Sequence, residues 1–569
     1  MFDRVSADSR RWLDDVTAAL PHRIRTKVRR EWERRQASTT AKNSTRSANI
    51  YVRRTVQALT NVRAAYPFRT LSQLYRLKVR EAYAADLAAS AVAIITETPA
   101  GATDDDTARR CYEQLARFCL ARGIKPAPYW NTGTFEGFAP GINRMKCPVW
   151  YLRQLNILRD RCIEHINLAA GMVGTAAPYI SKEAFNEWQA KQAAAAEWLD
   201  TTEIESDAGD VLTLAEAAAA GVSNPDNRRT ELMVRLRGLE ELATGQGKEG
   251  WFLTITCPSK FHPNSPNWNH KSPRAGQRHL CRQWAKLRAW LKRRNITMSF
   301  CRVAEPHKDG CPHWHILAFV DPEFAPYMLH AAREYALQVN GDEPGATKHR
   351  FTAEFIDPAK GSAVGYIAKY ISKNINGVHM EGEIDDESKM AADKSACRCR
   401  AWASRWGIRQ FQFGGTGASV SLWREVRRLR DVENLPEAAA PVREAACHSR
   451  WAAFVGEAQA AHAKVTKEVT EMGSHYGNNV IRPVGVTLGQ IFIATRYKRW
   501  RIKKRGSASP WSTTNKCTEA RQGTGLDRHL ALLGIDPGAR EALERGSFVT
   551  ARLGETKYAL RGGQLREFD

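Results

Sequence analysis

Two histidines separated by one residue give the strongest chemical signal in this sequence. His313 and His315 stand in PHWHILAFV, a run whose aromatic and branched residues predict a β-strand. Because side chains alternate between the faces of a strand, both imidazoles point to the same side, where their nitrogens can bind one cation. The alternative is that both are ordinary strand residues, so the argument depends on the residues around them.

A carboxylate for the same cation is predicted at Glu305. This residue ends the preceding strand, and the turn HKDG that follows reverses the chain, so the hairpin places Glu305 beside the histidines. Two histidines and one carboxylate leave open positions for a substrate oxygen and water. A divalent cation bound there would neutralise charge that develops on a phosphoryl group. His307 is the alternative third ligand.

Two tyrosines supply candidate nucleophiles for phosphoryl transfer. Tyr366 and Tyr370 stand four residues apart in GYIAKYISKN, so a helix places their phenols one turn apart on one face. A phenolate is a competent leaving group, so a phosphotyrosine keeps the bond energy and a DNA hydroxyl can attack it again. Cleavage and rejoining then need no ATP. The alternative is a pair of half-buried tyrosines on an ordinary amphipathic helix.

The same helix carries two further rows of side chains. At about 100° per residue, Ile367 and Ile371 form one row, which we expect to pack on the sheet. Lys369 and Lys373 form the other row, beside the tyrosines. An ammonium group in that position can stabilise a phenolate or hold a phosphate.

A change of composition at Gly245 marks the start of the domain that must position these residues. After the flexible run GQGKEG, the elements follow the order β-α-β-β-α-β, the ferredoxin-like arrangement of an antiparallel sheet with helices on one face. The predicted strands are 251–257, 297–305, 312–320 and 350–356, and the predicted helices are 274–294 and 322–339. The tyrosine helix follows the last strand directly.

The regions on either side of this domain are predicted to be mainly helical, so the expected class is α+β. The predicted divisions are a basic helical N-terminal region (1–122), a helical region with a Gly/Pro-rich entry loop (123–244), the central domain (245–430), helices with a basic segment (431–505), and a linker with a small C-terminal module (506–569). Alanine-rich helices are expected over 181–243, further helices over 422–471, and a hairpin around Gly554. The acidic segment 381–394 is predicted to be a mobile loop.

An excess of basic residues favours a polyanionic partner. Lys and Arg number 85 against 61 Asp and Glu, which gives a net charge of +24. The cationic run RYKRWRIKKRG predicts DNA contacts at Arg496, Lys498, Arg499 and Arg501. Residues 23–35 predict a helix that buries one apolar stripe and exposes cationic faces. For those faces, DNA contact and plain solvation both remain open.

Membrane and exported proteins are disfavoured by the sequence. No apolar run approaches the roughly 18 residues that a membrane span requires, and the start MFDRVSADSRRWLDD has no apolar signal core. Twelve cysteines are scattered along a chain long enough to fold without disulfides, so reduced thiols in a cytoplasm are expected. Cys397 and Cys399 form a C-x-C pair, but no second pair stands at zinc-ribbon spacing.

Four segments resemble the replication gene A proteins of temperate tailed phages, within the HUH endonuclease superfamily of rolling-circle initiators. The segments are FLTITCPS, EPHKDGCPHWHILAF, GYIAKYISKN and WASRWGIRQFQF. The resemblance is specific from Trp251 to Arg430 and weaker in the preceding basic helices. Trp314 stands where the superfamily motif has a hydrophobic residue between its two histidines. The third metal ligand varies across the superfamily, and Glu305 is the residue carried over to it here.

The resemblance implies a metal-dependent DNA endonuclease that also rejoins strands. It implies that His313 and His315 bind Mg²⁺ or Mn²⁺. It also implies that Tyr366 and Tyr370 are paired nucleophiles that nick single-stranded origin DNA. The product would be a 5′-phosphotyrosine and a free 3′-OH, from which rolling-circle replication of phage DNA starts in the cytoplasm of a bacterial host.

The expected partners are a host helicase and a host DNA polymerase. A Walker A motif does not occur, because Gly247-Lys248 is followed by Glu249, so unwinding is expected to come from another protein. A relaxase or transposase of the same superfamily is the alternative enzyme, and it would treat the 3′ end differently. A non-enzymatic ferredoxin-like RNA-binding protein would carry stacked aromatics on its sheet. A tyrosine recombinase would need no metal.

Overall fold

The structure, a computed structural model, describes most of the chain and divides it into two units. The described residues are 7–37, 44–130, 132–174, 177–375, 377, 382, 384–385, 388–429, 435–470, 474–504, 549–550, 557–561 and 564–568. The first unit comprises 1–172, 474–478 and 512–569, and the second comprises 173–473 and 479–511. Among the described residues, no helix combines the length and the apolar character that crossing a membrane would demand.

The first unit is built mainly from helices. Their bounds are α1 (Ala7–Thr17), α2 (His22–Gln36), α3 (Ser44–Ala64), α4 (Leu71–Tyr75), α5 (Leu77–Glu97), α6 (Asp104–Ala121), α7 (Phe135–Met145) and α8 (Pro148–Ala169). Helix α2 buries Ile24, Val28 and Trp32, which is the apolar stripe predicted there. The Gly/Pro-rich segment predicted as a loop contains α7. Burial of Phe138 and Met145 outweighs the low helix propensity of glycine and proline in this helix.

The second unit contains the predicted β-α-β-β-α-β order. Its helices are α9 (Lys182–Thr201), α10 (Leu214–Ala220), α11 (Pro225–Gly245), α12 (Pro273–Lys292), α13 (Ala325–Leu337), α14 (Ala346–His349), α15 (Ala363–Ile375), α16 (Ala392–Trp406), α17 (Val420–Val426), α18 (Ala440–Cys447) and α19 (Trp451–Ala460). Its strands are β1 (Thr202–Ser206), β2 (Val211–Thr213), β3 (Glu249–Thr256), β4 (Met298–Pro306), β5 (Pro312–Val320), β6 (Phe351–Ile356), β7 (Phe411–Gly414), β8 (Lys464–Val469), β9 (Ile481–Leu488), β10 (Ile491–Ala494) and β11 (Trp500–Lys504).

A five-stranded antiparallel sheet forms the centre of this unit. Its strand order is β6-β3-β5-β4-β7. All four predicted strands are confirmed within two residues at each end, and β5 has the predicted bounds. Strand β7 was not predicted. It pairs with β4 from Val303 opposite Phe411 to Phe300 opposite Gly414, and so extends the sheet at that edge.

Helices cover both faces of the sheet, so the prediction of helices on one face is wrong. Helices α12 and α13 pack together on one face, where Trp314 of β5 meets Trp284 of α12. Helices α11 and α15 cover the other face, where Leu236 and Ile367 share a core with Leu317. Every residue of β5 is buried as a result. A strand buried on both faces loses the polar and apolar alternation that marks a one-sided sheet.

The N-terminal flank is mainly helical, as predicted, whereas the described residues 435–504 contain four strands, β8 to β11, beside helices α18 and α19. Strands β1, β2 and β11 form one small sheet, and β8, β9 and β10 form another. The register pairs Ile204 of β1 with Ile502 of β11. These strands lie near opposite ends of the unit in sequence, so a local sequence pattern cannot predict that they pair. Near the C-terminus, β12 (Val549–Thr550), β13 (Lys557–Arg561) and β14 (Gln564–Phe568) pair antiparallel. Gly554, the predicted hairpin centre, lies outside the described residues, as does the predicted linker that begins at residue 506.

Candidate functional site

A tight hairpin between β4 and β5 brings the candidate metal ligands together. The amide of His307 donates to the carbonyl of Cys311 at 2.8 Å, and Gly310 takes φ +81°, a backbone conformation that favours glycine. The turn fixes the register in which Glu305 lies directly opposite His313. Directly opposed residues share a face of the sheet, so the predicted approach of the carboxylate to the histidines is confirmed.

Glu305, His313 and His315 form a buried group able to hold a metal ion. Their ligand atoms all lie within 4.8 Å of one another, and none of the three side chains is more than 8% exposed. The two Nε2 atoms are 3.0 Å apart, about the spacing of neighbouring ligands around an octahedral ion with bonds of ~2.1 Å. Within the part of the chain that the structure describes, this is the only such group, and neither Cys397 nor Cys399 belongs to one.

The surroundings of His313 favour its neutral, metal-binding form. Burial lowers the pKa of His313 well below its usual value, and His307 and His315 add to the effect. The Nδ1 atom of His315 lies 3.2 Å from the hydroxyl of Thr254, which leaves Nε2 to face His313. Such a partner on the outer nitrogen orients a ligand imidazole. His307 stacks on His313 with ring centroids 4.0 Å apart, but it is not part of the ligand group.

Helix α15 carries the tyrosines, and its packing on the sheet fixes their position. Ile367 and Ile371 are fully buried against the sheet and α11, so the expectation that the isoleucine row packs inward is confirmed. Glu240 of α11 accepts hydrogen bonds from the amides of Ala363 and Val364 in the first turn. A carboxylate at a helix N-terminus satisfies free amides and complements the helix dipole. The start of α15 is therefore held in place as well as its apolar face.

The two tyrosines have different surroundings. Tyr370 stacks on His315 with ring centroids 3.9 Å apart and an angle of 26° between the rings. Tyr366, one turn earlier, lies 6.2 Å from the ring of Phe252. Burial raises the pKa of Tyr370, and Glu305 adds to the rise, whereas Lys369 and Lys373 oppose it. Tyr370 is thus in direct contact with a candidate metal ligand.

Lys373 is buried between two carboxylates. Its Nζ atom lies 3.1 Å from Glu305 Oε2 and 2.9 Å from Asp385 Oδ1. Burial alone would lower the pKa of Lys373, but Glu305 and the other anionic groups around it hold that pKa above its usual value. Burial raises the pKa of Glu305, while Lys373 and Asn374 oppose the rise. Lys373 therefore contacts the ligand Glu305, whereas Lys369 is exposed on the helix surface.

Asp385 belongs to the acidic segment that was predicted to be a mobile loop. It is 3% exposed and accepts hydrogen bonds from the hydroxyls of Tyr179, Ser388 and Ser395. The segment is therefore buried and hydrogen-bonded at Asp385, which the prediction of a mobile loop did not include. Lys373 supplies the physical reason, because a buried ammonium group needs anionic partners and recruits this carboxylate.

Sequence reasoning missed Asn374, which connects the tyrosine helix to the metal group. Its side-chain amide donates to Glu305 and to the carbonyl of Tyr370, the latter at 2.7 Å, and its oxygen accepts from Gln410 at 2.6 Å. A signal was present in the sequence, because Tyr366, Tyr370 and Asn374 repeat at four-residue spacing. No such signal marks Gln410, whose contact depends on the chain returning beside β4.

The basic residues predicted to bind DNA lie along β11 and the segment before it. Arg496 forms an ion pair of 2.5 Å with the buried Glu425, and Lys498 pairs with Asp210 at 2.6 Å. The backbone amide of Arg499 donates a hydrogen bond to Asp207 Oδ1 at 3.1 Å, and Arg501 lies opposite Glu205 in the register. Two of the four side chains predicted to contact DNA, those of Arg496 and Lys498, are thus already paired with carboxylates.

Comparison with known proteins shows which family this chain resembles. The family described as "Bacteriophage replication gene A protein (GPA)" matches residues 74–378. A probable replication protein, P12, of Pseudoalteromonas phage PM2 is 40% identical over 91% of this chain and 85% of its own length. The replication protein of Haemophilus phage HP1 is 42% identical, over 69% of this chain and 54% of its own length. A Salmonella typhimurium protein named "Probable replication endonuclease from prophage-like region" is 31% identical, over 71% of this chain and 54% of its own length.

The chain therefore spans most of the PM2 protein but only about half of the other two relatives. No solved structure matches it. The match to the family covers more than half of the chain, and it includes all the candidate ligands and both tyrosines. The chain belongs to the bacteriophage replication gene A protein family.

Proposed function

We propose that this protein is a site-specific endonuclease and joining enzyme that starts rolling-circle replication of phage DNA. It nicks single-stranded DNA at the replication origin and leaves a 5′-phosphotyrosine link and a free 3′-OH. The observation that carries the proposal is the stacking of Tyr370 on His315, a member of the buried Glu305–His313–His315 group. Family membership and the endonuclease names of the Salmonella relatives support it.

The central sheet supports the assignment of a ferredoxin-like HUH domain to residues 245–430. The four predicted strands lie in the order β6-β3-β5-β4, with α12 after β3 and α13 after β5. Each neighbouring pair is antiparallel, as the ferredoxin-like arrangement requires. The candidate ligands lie on the neighbouring strands β4 and β5, and β7, α11 and α15 are additions to this core.

The proposed reaction is a transesterification. The phenolic oxygen of Tyr366 or Tyr370 attacks the phosphorus, and the bond from phosphorus to the 3′ oxygen breaks. The phenol loses its proton and the departing 3′ oxygen gains one, so a free 3′-OH and a phosphotyrosine result. Rejoining is the reverse reaction. A Mg²⁺ or Mn²⁺ ion held by Glu305 and the two histidines would neutralise charge on the phosphoryl oxygens.

The two lysines of α15 have separate roles in this proposal. Lys369 is exposed beside Tyr370 and opposes the rise in the pKa of that tyrosine, so its ammonium group can hold the phosphate or stabilise the phenolate. Lys373 acts through Glu305. Its ammonium group forms an ion pair with Glu305 and a second ion pair with Asp385. Arg499 and Arg501 are the better candidates for DNA contact within the basic segment. Arg496 and Lys498 would first have to leave their carboxylates.

A host helicase and a host DNA polymerase complete the proposal, acting in the bacterial cytoplasm. The polymerase would extend the 3′-OH. A relaxase or transposase of the same superfamily would share the nick but direct the 3′ end elsewhere. An RNA-binding module is disfavoured, because helices cover both faces of the sheet on which bases would stack.

Incubation with labelled single-stranded fragments of the gene's own DNA region tests the proposal. With Mn²⁺ present, we expect one site to be cut and the 5′ end to become linked to the protein. Excess EDTA should abolish the link. Cleavage without a covalent adduct, or an adduct that forms in EDTA, would rule out the metal-dependent tyrosine mechanism.

A further inference from the structure

Three arginines face one cavity between α2 and α3 in the first unit. The cavity has a volume of about 510 Å³ and is lined by Arg35, Arg46 and Arg54, with the hydroxyl-bearing residues Ser47 and Thr55. No acidic side chain lines it among the described residues. We call this cavity the α2–α3 cleft.

A second cavity of about 460 Å³ adjoins the α2–α3 cleft. The two cavities share Tyr51 and Thr55 in their linings. The second is lined by three more cations, Lys27, Arg30 and Arg34, and by a single acid, Glu31. The paired cavities therefore present six cations against one carboxylate.

The single carboxylate is already used. Glu31 accepts from Arg34 at 2.7 Å and from Arg35 at 2.8 Å, and the hydrogen bond from Arg34 lowers its pKa to about 2. The guanidinium of Arg35 is also held over the ring of Tyr51, 4.6 Å from its centroid. Arg46 and Arg54 are exposed, and no ion pair is found for them among the described residues.

A purely solvated basic face would have a different charge pattern. Solvated helix faces usually alternate acids and bases that pair at i,i+4 spacing. The basic segment around β11 shows such balance, since Arg496 and Lys498 both pair with carboxylates. Arginines that face one cavity repel one another until an anion enters it. The α2–α3 cleft thus has the charge of an anion-binding site.

We propose that the α2–α3 cleft and its adjoining cavity bind the phosphodiester backbone of DNA. Each cavity is large enough for a nucleotide-sized ligand, and two in succession suit a chain of phosphates better than a single small anion. Guanidinium groups bind phosphate through paired hydrogen bonds. The inference goes beyond the proposed nicking site. It rests on the proposed function in one respect, the identification of the bound polyanion as DNA.

Equilibrium binding to labelled DNA tests this assignment in the full chain. Affinity is measured for a single strand and for its duplex over a series of NaCl concentrations, with Tyr366 and Tyr370 replaced by Phe so that no covalent link forms. Arg46→Gln/Arg54→Gln should weaken binding about tenfold at about 50 mM salt. The slope of log K against log salt should fall in magnitude by about 1.4 on the single strand or about 1.8 on the duplex, because two contacts are lost. The form of DNA for which the variant loses more affinity is the preferred form.

Arg110→Gln/Arg117→Gln is the matched control, because it removes the same charge from exposed positions on α6 that line neither cavity. We expect it to change affinity less than about threefold. Equal losses of DNA affinity in both variants would show that only net charge matters, and would overturn the proposal. An unchanged slope of log K against log salt in the cleft variant would overturn it too. Weaker binding of polyglutamate with unchanged DNA binding would assign the cleft to an acidic protein instead. Because no step depends on nicking, failure of the tyrosine mechanism would leave this result intact.

Discussion

The phenol ring of Tyr370 lies against the imidazole of His315, with ring centroids 3.9 Å apart. Tyr366 makes no comparable contact, and its nearest aromatic neighbour among the described residues is Phe252 at 6.2 Å. Two tyrosines that look equivalent in sequence therefore start from different positions. One is packed on a candidate metal ligand, and the other lies a helical turn, about 6 Å, further along α15.

The two tyrosines should differ when each is replaced alone. Tyr370→Phe keeps the stacked ring but loses the hydroxyl of the tyrosine that contacts His315, so we expect it to reduce the first nick more than Tyr366→Phe does. The double variant should form no covalent adduct with DNA. Peptide mapping of trapped adducts measures which residue is labelled. A label on neither tyrosine would contradict the mechanism.

Metal affinity should depend on the histidines and on the residue behind one of them. His313→Ala and His315→Ala should abolish Mn²⁺ binding by titration calorimetry, while circular dichroism shows a retained fold. Thr254→Val removes the hydroxyl that lies 3.2 Å from His315 Nδ1, and it should weaken Mn²⁺ binding about 10-fold to 100-fold. Thr256→Val, on the same strand but with its hydroxyl bonded to the carbonyl of His349, is the matched control. Equal affinity in the Thr254 and Thr256 variants would show that Thr254 does not orient the ligand.

Asp385 should support both stability and metal binding. Asp385→Asn leaves the buried ammonium of Lys373 with Glu305 as its remaining close carboxylate, so unfolding free energy should drop by about 3 kcal/mol. Mn²⁺ affinity should fall as well, because Lys373 then competes for Glu305. Asp393→Asn, an exposed position with the same charge change, should alter neither quantity.

A second substitution separates these effects of Asp385. Lys373→Met and Asp385→Asn each remove one partner of the 2.9 Å ion pair, so in denaturant unfolding the double variant should lose less stability than the sum of the two single losses. If the double variant is no more stable than the sum of the single losses predicts, the two residues are not coupled, and Asp385 acts only on its own loop.

Stability of the metal-free protein should decline below neutral pH. Burial lowers the pKa of His279 to about 4 and that of His313 well below its usual value, so both are neutral when folded and take up protons on unfolding. Above about pH 6.5 the two histidines are neutral in both states, and their contribution to the free energy of unfolding is fully present. As the pH falls from there towards the folded pKa values, the free energy of unfolding decreases by up to ~1.4 kcal/mol per pH unit for each residue. Denaturant titrations at several pH values measure the slope. His279→Gln/His313→Gln should flatten it, and an unchanged slope would refute the assignment.

The sequence by itself determined the central fold and the candidate site. Strands β3 to β6 carry local patterns strong enough to set their bounds, and a two-residue spacing on β5 together with a four-residue spacing on α15 placed the histidines and the tyrosines on shared faces. Glu305 could be predicted as the third ligand because a single turn joins its strand to the histidine strand, so the two strands must pair as neighbours. In each case the decisive contacts join residues that are close in sequence or follow one repeat.

Only the tertiary structure decided which groups complete the site. Glu305 and Lys373 are surrounded by Asp385, Asn374 and Gln410, which come from segments that are distant in sequence. No local repeat in the sequence predicts contacts of this kind. The sequence also did not predict that helices cover both faces of the sheet. A strand buried on both faces lacks the alternation of polar and apolar residues by which a one-sided sheet is recognised. Charge counting marked both basic stretches alike. Distances to carboxylates decided that the charge near β11 is largely balanced and that the charge of the α2–α3 cleft is not, because an ion pair depends on position in space, not on composition.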